Sequence, residues 1–143
     1  MLKIDGREFK TQEAADYVYQ SGLWLYTSGR ADLYDWNKRY CLMQRSVGYI
    51  KMAAELEPYN PDIIWLEAFY IETSNKSSEY MMILMKNLLS RMKQSVENGY
   101  TKPPARYANV VEWALKAYIR KVKMGIMWEA YDLCEELRQA GEQ

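Results

Sequence analysis

The stretch LYDWNKRYCLMQRSVGYIKMAA, Leu33 to Ala54, decides the fold. Within it Leu33, Trp36, Tyr40, Met43, Val47, Ile50 and Ala54 recur at spacings of 3, 4, 3, 4, 3 and 4. That is the a/d seam of a helix packed lengthwise on other helices. Asp32, with Asp35 three residues on, offers a start, and Glu57-Pro58 a stop, because the residue before proline is pushed out of helical conformation. A helix over 32–57 would run roughly 37 Å at about 1.5 Å per residue. It would set the length of its neighbours. A second row, Leu42, Tyr49, Ala53 and Leu56, falls roughly opposite the first, so neighbours are expected on both sides.

Toward the N-terminus, Thr11 can cap a helix over 11–27, with Glu13 favourably placed against its dipole and Ser28-Gly29 as its end. Tyr17, Tyr19, Trp24 and Tyr26 crowd this helix. Before it, Leu2-Lys3-Ile4 and Arg7-Glu8-Phe9 alternate in character around Asp5-Gly6, a dipeptide suited to a two-residue type I′ turn. A small β-hairpin, or else an extended lead-in, is expected over 1–10.

Toward the C-terminus, Pro58-Tyr59-Asn60-Pro61 is the strongest punctuation: Asn60 can cap, and Pro61 fits the first helical position, where its missing N–H costs nothing. A short helix over 61–73 follows, apolar on nearly every side. Ala53 to Tyr70, AAELEPYNPDIIWLEAFY, resembles the junction between two tetratricopeptide repeats, where one helix ends near a Pro and an Asn before a Trp-bearing helix begins. The likeness covers this one junction, its Trp stands one place off the usual pattern, and no period of about 34 residues recurs. It is read as shared capping chemistry and implies no family function. A fourth helix is expected over 78–98, with Met81, Met85, Leu88 and Met92 at its core and Asn98-Gly99 as its stop. The fifth covers 103–140, because the stripe Val111, Leu115, Tyr118, Val122, Ile126, Ala130, Leu133 and Leu137 keeps one phase through Gly125. The fold class is therefore an all-α, single-domain bundle of about five helices behind a short hairpin or lead-in, and 143 residues suffice for one core.

Composition narrows the function. Lys plus Arg and Asp plus Glu are both 19, so the chain exerts little long-range field on charged partners. Thirteen Tyr and five Trp against two Phe suit half-buried positions and interfaces. There is no His, which excludes Ser-His-Asp and Cys-His arrangements and HExxH zinc sites. No GxGxxG or GxxxxGK[ST] cradles phosphate, so no cofactor and no metal is expected. The two cysteines, Cys41 and Cys134, form no CxxC pair, and the N-terminus lacks the apolar core of a signal peptide. A soluble, cytoplasmic protein with no membrane span is expected.

The last helix carries the most informative pattern. Val110, Trp113, Ala117, Met124, Trp128 and Tyr131 form a second row on its far side, and aromatic and Met residues are what interface centres enrich. Residues 99 to 127 hold six Lys or Arg and one Glu, whereas 128 to 143 hold five Asp or Glu and one Arg. Such a split suits antiparallel pairing with a second copy. A bundle-interior helix burying both rows explains the same pattern. The leading expectation is a non-enzymatic protein-binding module, a regulator, inhibitor or adaptor, of the kind a phage or mobile element would also use. Its partner is another protein, a second copy of itself included. The alternative is RNA or DNA binding by Lys102, Arg106, Lys116, Arg120, Lys121 and Lys123. A carboxylate enzyme using Glu55, Glu57, Glu67 or Glu72 stands third.

Overall fold

Asp5 and Gly6 both take positive φ, 52° and 77°, the backbone a type I′ turn demands. In a computed structural model, which describes residues 1–32, 34–72 and 78–101, they join β1 (Leu2–Ile4) to β2 (Arg7–Phe9). The strands pair antiparallel, Leu2 opposite Phe9 and Ile4 opposite Arg7. Four helices follow: α1 (Gln12–Arg30), α2 (Trp36–Leu56), α3 (Pro61–Glu72) and α4 (Ser78–Lys93). The described residues are thus mostly helical with one short sheet. The fifth helix expected over 103–140 lies outside the described residues, as does Leu33. The chain divides into two compact units, Met1–Pro58 and Tyr59–Gln143.

In the first unit α1 and α2 form a hairpin, and β2 rests on α1. The packed face of α1 is Ala14, Val18, Ser21 and Ser28, and that of α2 is Ser46, Ile50, Ala53 and Ala54. Small side chains let the two axes approach closely. At their crossing the buried Ser21 hydroxyl donates to the Ser46 carbonyl at 2.9 Å, while the Ser46 hydroxyl donates to the Ser21 carbonyl at 2.7 Å. The two oxygens Oγ lie 2.9 Å apart. Buried hydroxyls are costly unless bonded, and here each satisfies the other helix.

The two ends of the hairpin are fixed by side chains. Thr11 caps α1 by accepting from the Ala14 N–H at 3.2 Å. The Glu57 carboxylate at the end of α2, only 2% exposed, accepts from the N–H groups of Lys10 and Thr11 at 2.8 and 3.3 Å. The negative charge sits where the α1 dipole is positive. At the far end Asp32 accepts from the Tyr34 N–H at 2.9 Å, and Asp35 caps α2 through the Lys38 N–H at 3.0 Å. The expected start at Asp32 therefore moves to Asp35, because Asp32 spends its side chain on a local turn. α1 likewise runs past Ser28-Gly29, since the Ser28 hydroxyl bonds back to the Leu25 carbonyl at 2.7 Å and so stays within the helical ladder.

In the second unit α3 packs on α4. Asn60, fully buried, caps α3 through the Asp62 N–H at 2.9 Å, with Pro61 first in the helix. Ile63, Ile64 and Ala68 of α3 and Leu88, Leu89 and Met92 of α4 are buried. Helix α4 ends at Lys93, earlier than Asn98-Gly99. The Ser95 hydroxyl takes the Met92 carbonyl at 2.8 Å, turns follow, and Gly99 at φ 91° reverses the chain.

Candidate interaction surface

The α1–α2 hairpin has two sides, and they differ. One is closed by cross-helix contacts: the rings of Tyr17 and Tyr49 lie 6.1 Å apart, and the Arg45 guanidinium covers the Trp24 ring at 4.7 Å. Tyr26, Trp36 and Tyr40 each stand nine residues from one of these, namely Tyr17, Arg45 and Tyr49. At about 100° per residue nine positions amount to roughly half a turn. These three rings therefore belong to the other side.

On that side they are in solvent. Trp36 is 73% exposed, Tyr40 61% and Tyr26 63%. Tyr19 and Leu23, at i and i+4 on the outer flank of α1, extend the row, and Tyr34 in the connection is 90% exposed. The Leu33 to Ala54 seam is thus graded along its described residues. Trp36 and Tyr40 are exposed, Met43 and Val47 half-buried, and Ile50 and Ala54 buried. A heptad specifies a face that wants cover, and the N-terminal half of this one has none among the described residues. The core position falls instead on Ser46, Ile50 and Ala53, turned part-way round the helix.

Two arginines lie beside the exposed rings. The Arg30 guanidinium lies 5.5 Å from the centre of the Tyr26 ring and donates to the Tyr26 hydroxyl at 2.8 Å. Arg39 lies 5.8 Å from the centre of the Trp36 ring. Neither meets a carboxylate among the described residues. Each contact leaves part of the planar fork of donors toward solvent.

The site residues expected from the sequence alone fall elsewhere. Val110, Trp113, Ala117, Met124, Trp128 and Tyr131 lie outside the described residues, and so do Lys102, Arg106, Lys116, Arg120, Lys121 and Lys123. Of the candidate acids, Glu55 is exposed on α2 and Glu57 caps α1. Glu67 forms an ion pair of 2.8 Å with Arg91, both about 15% exposed. Burial raises the Glu67 carboxyl above its ordinary range, while the charge and hydrogen bond of Arg91 pull it back in part. The Glu72 side chain lies outside the described residues. Among the described residues no three His, Cys, Asp or Glu gather as a metal site requires, and no helix is long and apolar enough to cross a membrane.

The exposed row was detectable in part. Tyr19, Leu23 and Tyr26 repeat at 4 and 3 opposite the small-residue face of α1, the same two-row pattern as in the sequence of residues 103–140. Trp36 and Tyr40 were hidden by their perfect fit to the heptad. Comparison with known protein families, with curated proteins and with solved structures finds no match.

Proposed function

We propose that this chain is a non-enzymatic protein-binding module, a regulator, inhibitor or adaptor that acts by docking on another protein through the aromatic side of the α1–α2 hairpin. One observation carries the reading: Tyr26, Trp36 and Tyr40 stand together in solvent on one side of a helix pair whose other side is closed. Full burial of a large apolar side chain is worth roughly 1.5–3 kcal/mol. Three such rings left exposed in one place mark a surface that gains by being covered. Trp, Tyr and Arg are also the residues that dominate binding energy at interface centres. Both of the little-exposed candidate acids have a place in the fold, Glu57 on the N–H groups of Lys10 and Thr11 and Glu67 on Arg91.

The test is a paired variant, Trp36→Ala with Tyr40→Ala, compared with the wild type in urea unfolding and in affinity capture from the native cell. Exposed positions should each change stability by about 0.5 kcal/mol or less, while bound proteins present with the wild type are lost. A loss of several kcal/mol would identify the two rings as core. An unchanged set of bound proteins would remove the surface from consideration.

A further inference from the structure

The identity of the partner can be narrowed by the charges that flank the rings, an inference that rests on the protein-binding reading above. We infer that the surface takes an acidic segment of its partner, in which Asp or Glu carboxylates stand beside an apolar side chain. The apolar side chain covers Trp36 and Tyr40, and the carboxylates meet Arg30 and Arg39. The juxtaposition is two guanidinium groups that meet no carboxylate among the described residues, each beside an exposed ring, at the end of the hairpin where Tyr34, Trp36 and Tyr40 are most exposed.

Charge complementarity supports this occupant. Arg30 has spent one N–H on the Tyr26 hydroxyl, which leaves donors of its fork for a carboxylate in bidentate geometry. The two carboxylates of the connection, Asp32 and Asp35, are held by the backbone N–H groups of Tyr34 and Lys38 rather than by either arginine. Of the cations between residues 30 and 45, Lys38 and Arg45 belong to the opposite side of the hairpin, so Arg30 and Arg39 are the ones this surface offers.

A single-stranded nucleic acid also uses aromatic rings and cations, but it stacks its bases on free ring faces. Here Arg30 is bonded at the hydroxyl end of Tyr26 and Arg39 stands 5.8 Å from the centre of Trp36, so a cation already lies beside each ring. The zero net charge of the chain likewise supplies little attraction for a phosphate backbone. The geometry suits a protein carboxylate better.

The experiment selects binders to the full chain from a random peptide library displayed on phage, discarding those that also bind the Trp36→Ala, Tyr40→Ala variant. The selected peptides should be rich in Asp or Glu next to a Leu, Ile, Phe or Trp. In fluorescence anisotropy the best of them should lose at least tenfold in affinity when its acids become amides, and again when the protein carries Arg30→Gln with Arg39→Gln. Selected peptides that are neutral or basic, or indifferent to both changes, overturn the acidic-segment inference and leave the protein-binding surface standing. Failure to recover any peptide dependent on Trp36 and Tyr40 overturns both. Binding of an oligothymidylate of about 12 nucleotides more tightly than the selected peptide overturns the inference in favour of nucleic acid.

Discussion

Single residues decide how the two helix pairs are held. In the first unit, Ser21 and Ser46 exchange hydroxyl-to-carbonyl bonds at the point where a larger side chain would force α1 and α2 apart. Replacing either by Ala should cost about 1 kcal/mol, the net worth of a buried hydrogen bond. Each hydroxyl donates to a backbone carbonyl that the other substitution leaves in place, so the double substitution should cost about the sum of the two. Urea unfolding of the three variants checks this, and a double cost well below the sum would show that the two hydroxyls share a bond. In the second unit, Glu67 faces Arg91 at low exposure. Its carboxyl is raised by burial, so its ionisation opposes folding. Its contribution is fully favourable below the unfolded value near 4.5 and is lost as pH rises through the raised one. Arg91→Met removes both influences that lower it, leaving a buried carboxylate without compensation. The variant should lose on the order of 3 kcal/mol near neutral pH and much less at pH about 3, where Glu67 is protonated in both states. A pH-independent loss, measured by unfolding at the two pH values, would mean that Arg91 acts through packing alone.

At the scale of elements, α2 shows what a sequence pattern can and cannot specify. Its existence, its cap chemistry and its stop were legible, because Asp before a helix, Pro after it and apolar spacing of 3 and 4 act locally. The hairpin turn at Asp5-Gly6 and the Asn60-Pro61 start of α3 were legible for the same reason. The position of the core on α2 was not. Ser46 is fully buried and Trp36 largely exposed, an inversion of their hydrophobicity, because helix approach is decided by size and by mutual hydrogen bonding as well as by apolarity. Leu33 to Ala54 names a face of the helix, and only the arrangement of α1 against it separates the covered half from the bare half. The candidate site was less legible than the fold. Its two α2 rings, Trp36 and Tyr40, matched a core pattern completely, whereas nothing in the spacing of Arg30 and Arg39 sets them apart from the other cations, and only the structure places them beside Tyr26 and Trp36.

For the whole molecule, equal numbers of acids and bases remove long-range steering, so the proposed recognition rests on a local surface. The proposed surface combines large rings, which contribute apolar area, with arginines, which contribute direction to a carboxylate. Neither needs a cofactor or a catalytic group, and the sequence contains no His to support the commonest ones. The central claim is that one side of the α1–α2 hairpin meets another protein and its opposite side does not. A photo-reactive benzoylphenylalanine placed at Tyr40, and separately at Lys38, tests it in the native cell. The two positions lie about 160° apart around the same helix, and both are exposed. Irradiation should attach a partner protein at position 40 and leave position 38 without an adduct. Adducts of equal yield at both positions, or at 38 alone, would contradict the claim.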